Sequence, residues 1–377
     1  MRSLVLAPET PLPATSGGRL RTLHLARALT GVADVDVAAL GLVPEARGEP
    51  FSLTGIPHRR FRAASGMTAL RRPYLAAKFE SGPMARLASE ARWHTVQAEF
   101  PFLVPAAQRA RTPVVLDAHN VEHEIARMLS RSDSRVLHRL RWAWEARKTE
   151  RFEGTVAAQV SAVCVTSEAD AEAFEAWGAR EVVIVRNGVD TARVPWRTPS
   201  QASGLLYVGH FGYRPNAEAA LELVNEILPR VRERVPGASV RLVGRDAGRQ
   251  LLERTSEAIE VAGEVPDVVP HLHGRRALVV PLRSGSGTRL KVLEAMAAGV
   301  PVVSTPLGVA GLRVRDGEHV LIAESAPDLA ALAVRVIEDD ALATSLSRAG
   351  RRLVERAYDW AVVARPLLEL HVRLSGR

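Results

Sequence analysis

Residues Gly285 to Ala295 read GSGTRLKVLEA, which places two cations and a carboxylate, Arg289, Lys291 and Glu294, just behind a glycine-rich turn. The preceding ALVVPL has the make-up of a strand, and RLKVLEAMAA that of a helix stopped by Gly299, with Thr288 or Ser286 as its expected N-cap. A helix entered through a flexible turn presents unbonded amides and the positive end of its dipole, which together hold phosphate. Arg289 and Lys291 in the first turn oppose that dipole by about 0.3–1 kcal/mol each, a cost an anion would remove. The same spacing also suits a Lys291–Glu294 pair on a solvated face, worth about 0.2–0.5 kcal/mol, and spacing alone leaves both readings open. Only three of the 50 basic residues are lysines, Lys78, Lys148 and Lys291, so a lysine here is an unusual choice for this chain.

Other candidates are weaker. His119 ends the strand-like PVVLDAH, where a lone histidine is more often structural than catalytic. HNVEH, residues 119–123, fits the H-x-x-E-H pattern of inverted zinc peptidases, but that motif needs one continuous helix and a further ligand, and His119 terminates a strand. Gly17 and Gly18, in PETPLPATSGGRL, would let backbone approach a ligand or serve turn geometry alone. GSGTRL lacks the third glycine of the dinucleotide fingerprint and no P-loop pattern occurs, which disfavours a dehydrogenase or P-loop enzyme. Cys164 in AVCVT reads as a small hydrophobe in a buried strand.

These loops need a scaffold. SLVLA, VDVAAL, PVVLDA and AVCVT alternate with the helical patterns GGRLRTLHLARAL, NVEHEIARML and EADAEAFEAW, as in parallel sheets built from βαβ units. Periodicity stops where Pro195, Pro199, Ser200 and Ser203 gather, then restarts with GLLYVG, a helix from Ala217 to Val235, SVRLVG, ALVVPL and PVVST. We therefore expect an α/β chain of two Rossmann-like domains, residues 1–194 and 205–359, joined by a linker at 195–204, with ligands at the carboxyl ends of the strands. A length of 377 residues, 47% hydrophobic and 24% charged, suits two soluble domains. The net charge of +8 allows an anionic partner without choosing one. Aromatic content of 5% offers few stacking platforms for nucleic acid. RVLHRLRWAWEARKTERF sets Trp142 and Trp144 among Arg139, Arg141, Arg147, Lys148 and Arg151; it reads as a solvated helix burying its tryptophans, or as a basic amphipathic face for anionic lipid. The apolar start in MRSLVLAPETP is too short for a signal peptide and no run approaches a membrane span, so a cytoplasmic placement, peripheral at most, is expected.

Taken together, SGGRLRTLHLARALTG, LDAHNVEHE, VTSEAD, VRNGVD, YVGHFGYRPN and GSGTRLKVLEAMAAGVPVVSTPLGVAGL resemble the retaining glycosyltransferases of the GT-B fold, in particular the large family-4 group (glycosyl transferases group 1). The last segment is the most specific, and DGEHVLIA and YDWAVVARPL extend the likeness to the C-terminus.

The resemblance implies two Rossmann-like domains facing each other across a cleft, with a C-terminal helix, about residues 360–377, crossing back to the first. It implies transfer of a sugar from a nucleotide diphosphate donor to a glycan, lipid-linked or small-molecule acceptor, with retention of anomeric configuration and no metal or other cofactor. The acceptor would bind the first domain and the donor the second. His119, Arg289 and Lys291 would then carry the catalysis. Gly17, Gly18, Gly209, His210, Ser286, Gly287, Thr288 and Glu294 would bind the donor, Glu294 by accepting the ribose hydroxyls. Two departures stand out: Ser286 occupies the place of the first glutamate of the family's glutamate pair, and GHFGYRPN lacks the usual Arg and Lys, with His210 following Gly209. A non-catalytic anion- or nucleic-acid-binding protein and an HxxEH zinc hydrolase are the rival readings.

Overall fold

The computed structural model describes residues 1–57, 71–132, 135–199, 204–285 and 289–376. They divide into two compact units, Met1–Asn187 with Val363–Arg377, and Gly188–Val362. In unit 1, strands β1 (Arg2–Ala7), β2 (Asp34–Leu40), β3 (Ser52–Ile56), β4 (Thr95–Glu99), β5 (Val114–Asp117), β6 (Ala162–Val165) and β7 (Val182–Ile184) form one parallel sheet in the order 3-2-1-4-5-6-7. Both faces are covered, which is why β1 and β6 read as near-continuous apolar runs. Leu4 and Leu6 of β1 enter a core with Leu116 and Val163, while Val5 and Ala7 enter a second core with Leu23 and Leu29. Cys164 lies fully buried in β6.

Unit 2 repeats the plan. Strands β8 (Gly204–Val208), β9 (Ser239–Val243), β10 (Ile259–Gly263), β11 (Ala277–Val280), β12 (Val302–Ser304) and β13 (Leu321–Ile322) form a parallel sheet in the order 10-9-8-11-12-13. The expected Ala217–Val235 helix forms Arg214–Glu222 and Leu228–Arg234 around a π turn, Leu223–Ile227, beside Pro229, which has no amide to continue the ladder. In each sheet the strand order reverses once, between β1 and β4 and between β8 and β11. The crevice beyond the carboxyl ends at such a reversal is where open α/β sheets bind ligands.

Five helices bear on function: α1 (Gly17–Leu29), α2 (Glu122–Ser132), α3 (Val136–Ala157), α4 (Leu290–Ala298) and α5 (Arg365–Leu374). Ser16 caps α1, its Oγ accepting the Arg19 amide at 3.4 Å, and no acidic residue stands in the first turn. Arg289 holds the cap position of α4 and makes no side-chain cap hydrogen bond, while Ser286 and Thr288, the expected caps, lie outside the described residues. The stop at Gly299 is formed with φ +85°, and a Cβ there would lie 2.2 Å from the Arg197 carbonyl. Helix α3 does not bury a tryptophan pair: Trp142 is half-buried and Trp144 is 47% exposed. Two positions apart on a helix, they point about 200° from one another and cannot share a buried face. Among the described residues no helix is long and apolar enough to cross a membrane.

Candidate functional site

Unit 1 gathers charge at the ends of β4 and β5. Arg21, on α1, donates from Nε and Nη2 to both Asp117 oxygens at 2.8 and 2.5 Å, and from Nη1 to the Val185 carbonyl and Asn187. His119 Nε2 lies 2.9 Å from Glu99 Oε2 and 3.2 Å from Asp117 Oδ2. Thr22 Oγ1 donates to the same Glu99 oxygen at 2.7 Å. Arg21, Glu99, Asp117 and His119 are all buried. Such burial is tolerable because two cations face two carboxylates, each with hydrogen bonds. Burial by itself disfavours the Asp117 carboxylate, but the Arg21 charge overrides it and holds the group well below the usual carboxylate range. Burial would likewise lower His119, yet the hydrogen bonds and charges of Asp117 and Glu99 raise it to about 9.

A protonated imidazole donates from both nitrogens. Here Nε2 is engaged, whereas Nδ1 is buried without a hydrogen-bond partner, and a Cβ on Gly18 would stand 3.4 Å from it. An unsatisfied buried donor carries a desolvation cost of about 1–3 kcal/mol that a ligand oxygen would remove. Phe100, next to Glu99, adopts φ +95° and sets its ring centroid 4.4 Å from that of His119. Non-glycine residues rarely hold this conformation, and such outliers cluster at functional sites.

Glu99, Asp117 and His119 are the one trio among the described residues whose ligand atoms lie close enough to share a cation. Arg21 and the protonated His119 already neutralise both carboxylates, so the trio is an ion-pair cluster. His123 turns elsewhere: its Nδ1 lies 3.0 Å from Glu153, whose carboxylate also accepts the Glu122 and His123 amides at the start of α2. HNVEH therefore does not bring its two histidines onto one metal.

In unit 2 the loops after β8 and β11 meet at the strand reversal. Lys291 Nζ donates to Tyr207 Oη at 3.1 Å and Asn216 Oδ1 at 2.9 Å, and stands 4.2 Å from the Tyr207 ring centroid. Asn216 also donates to the His210 carbonyl at 3.1 Å and receives the Tyr207 hydroxyl at 2.9 Å. Burial, then the Arg289 charge, push Lys291 down to about 7, against the pull of Glu294. Burial and Asp267 push Glu294 up to about 7, opposed by Lys291 and Arg193. The Lys291 ammonium thus turns to Tyr207 and Asn216 rather than pairing with Glu294 on a wet face. Arg289 is buried and fastens its loop, Nε to the Leu307 carbonyl at 3.0 Å and Nη2 to the Gly285 carbonyl at 3.2 Å. Arg289 and Lys291 thus lie together at the N-terminus of α4.

Gly209 is packed rather than open: a Cβ on Gly244, which has φ +150°, would fall 1.7 Å from the Gly209 carbonyl oxygen. His210 Nε2 lies 2.6 Å from Asp246, itself at φ +58°. The structure therefore brings Gly17, Gly18 and His119 together in unit 1, and Gly209, His210, Arg289, Lys291 and Glu294 to the strand-reversal end of unit 2. Ser286, Gly287 and Thr288 lie outside the described residues. Sequence reasoning missed Arg21, Glu99 and Asp117, and in unit 2 Tyr207, Asn216 and Asp246. A usable signal existed for the first group, since TVQAE puts polar residues at alternate positions of a strand buried on both faces.

Two family descriptions match the chain side by side, "Glycosyltransferase Family 4" over residues 15–193 and "Glycosyl transferases group 1" over residues 202–339. Between them they span every strand of both sheets except β1. The chain belongs to the family-4, group 1 glycosyltransferases. It is 30% identical to a glycogen synthase of Mycobacterium tuberculosis over 210 residues, 52% of this chain and 49% of that protein. It is 31% identical to the phosphatidyl-myo-inositol mannosyltransferase of the same organism over 235 residues, 58% of this chain and 60% of that protein. The chain thus spans about half the length of the glycogen synthase it matches. Its fold is also that of Anabaena HepE, solved in complex with UDP, with a TM-score of 0.71 and 15% identity over 99% of this chain and 100% of that one. Two Rossmann-like units, each built on a parallel sheet, together with this likeness place the chain in the GT-B fold class.

Proposed function

We propose that this glycosyltransferase moves a sugar from a nucleoside diphosphate sugar to a glycan, lipid-linked or small-molecule acceptor, with retention of anomeric configuration. The observation that carries the donor class is Lys291. An ammonium held at about 7, beside a buried arginine and at a helix N-terminus, is a site whose charge is completed by an anion. Cleavage of the sugar–diphosphate bond places negative charge on the departing phosphate. Arg289, a reprotonated Lys291 and the first amides of α4 would stabilise it in place, without the reorganisation that water requires. Glu294, ionised above about pH 7, would accept the ribose hydroxyls. His119 would donate its Nδ1–H to an oxygen of the reacting groups. No protein nucleophile is assigned; the departing phosphate itself would take the acceptor proton on the same face. That HepE, which shares this fold, was solved with UDP supports the donor class.

The acceptor side carries a further element of the reading. Val136, Leu137, Leu140 and Trp144 of α3 are 65%, 80%, 64% and 47% exposed and share one face, with exposed Arg139, Arg141 and Arg147 around it. An apolar stripe bordered by arginines suits an anionic lipid surface and a lipid-linked acceptor. A thermal-shift screen against UDP, GDP, ADP and dTDP tests the donor class: one nucleotide should raise the melting temperature of the wild type and not of Lys291→Met. Equal shifts in both proteins would remove Lys291 from the site.

A further inference from the structure

Behind His119 runs a line of buried hydrogen bonds that ends on the C-terminal helix. Ser3 Oγ lies 2.8 Å from Thr95 Oγ1, and Thr95 Oγ1 2.9 Å from His371 Nδ1 on α5. His371 Nε2 lies 2.9 Å from Gln97 Oε1, and Gln97 Nε2 donates to Glu99 Oε1 at 2.6 Å. The other oxygen of Glu99 holds His119. Ser3, Thr95, Gln97, Glu99 and His371 are each no more than 1% exposed. Thr95, Gln97 and Glu99 alternate along β4 and so share one face of a central strand, where aliphatic residues would pack at no polar cost.

The line has a single direction. An ionised Glu99 only accepts, so the Gln97 amide must turn its NH2 to Glu99 and its oxygen to His371. His371 is buried and held down to about 4, hence neutral, and must carry its proton on Nε2. Its Nδ1 then accepts the Thr95 hydroxyl, and Ser3 donates to Thr95. Every proton points toward the carboxylate that His119 uses. A tie serving only to dock α5 would not need this order, or need to end at Glu99.

We propose that His371 and Gln97 are positioning residues for His119: they fix the Glu99 carboxylate and through it the imidazole, so that the C-terminal helix is built into the candidate site. The activity part of this inference rests on the reading given under Proposed function; the positional part does not. The charged groups facing His119 are Glu99 from β4, Asp117 from β5 with its partner Arg21 from α1, and Glu122 at the start of α2.

The test follows the His119 ring by NMR of protein labelled with ¹⁵N-histidine, its signal assigned by its loss in His119→Asn. Removing the Nε2 donor with His371→Leu should lower the His119 titration by at least about one pH unit, and His371→Gln, whose amide reaches the same acceptor, should restore it. Turnover should fall about tenfold or more in His371→Leu, with the donor KM unchanged, and recover in His371→Gln. Should His371→Leu fail to fold, Gln97→Met gives the same readout without altering α5. A folded His371→Leu or Gln97→Met with an unshifted His119 titration overturns the proposal. A shifted titration in a protein that transfers no sugar leaves the positioning intact and sinks the functional reading instead.

Discussion

If Lys291 is neutral without ligand and charged against a diphosphate, nucleotide binding must take up a proton, and affinity must fall as pH rises. The free ammonium stands at about 7. Bound between phosphate oxygens it would return to or above the ordinary lysine value of about 10.4. Above pH 7, each unit then costs about 1.4 kcal/mol, or tenfold in affinity. Between pH 7.5 and 9.5 the dissociation constant for UDP should rise roughly 80-fold, about 2.6 kcal/mol. The window avoids the last ionisation of UDP, near pH 6 for a phosphate monoester group. Glu294, at about 7, is already mostly ionised at its lower edge and contributes less than about twofold. Calorimetry across this range, in two buffers of different ionisation enthalpy, measures both the slope and the proton taken up. In Lys291→Met the affinity should be weaker and the slope absent. A pH-independent wild type, or a slope that survives in Lys291→Met, would refute the assignment of that lysine to the donor phosphate.

Other outcomes follow from single contacts. Gly244→Ala forces a Cβ onto the Gly209 carbonyl at a φ that only glycine holds easily, and should destabilise unit 2 by several kcal/mol, read as a fall in denaturant midpoint. His119, raised to about 9 from an unfolded value of about 6.5, stabilises fully below pH 6.5, and this contribution is lost as pH rises through 9. The stability gap between wild type and His119→Asn should therefore narrow by up to about 3 kcal/mol across that window in urea titrations, and a constant gap would deny the charge. The wild type should co-sediment with phosphatidylglycerol vesicles and not with phosphatidylcholine vesicles, and Trp144→Ala with Leu140→Ala should abolish it; equal sedimentation of both proteins would remove α3 as a lipid-facing surface.

Much of the fold was legible because parallel strands buried on both faces read as plain apolar runs: SLVLA, VDVAAL, PVVLDA, ALVVPL and PVVST all lie where strands form. Strand order was not legible, since pairing joins residues far apart in sequence, and so the reversals that select the two ligand crevices emerged only from structure. The same limit hid the partners of His119. Arg21 sits 96 positions from Asp117, and the polar–apolar alternation of TVQAE reads as a strand with one wet face, whereas all five residues are buried. At the start of α4, Arg289 takes the cap position and its guanidinium ties Gly285 to Leu307, a fastening across 22 residues that local propensity does not encode. Lys291 was found by its rarity and place. Its burial beside Arg289, which pushes it down, and its partners Tyr207 and Asn216, 84 and 75 residues away, emerge only from the folded chain.

The central claim, sugar transfer from a nucleoside diphosphate donor, is tested most directly by incubating the protein with a panel of nucleotide sugars together with a glycan and lipid extract, and following donor and product by mass spectrometry. One donor should be converted to its nucleoside diphosphate while its sugar appears on an acceptor, and Lys291→Met should lower the rate by at least about tenfold, 1.4 kcal/mol in the barrier. Donors that remain intact with every acceptor fraction, or a Lys291→Met protein that turns them over at the wild-type rate, would contradict it.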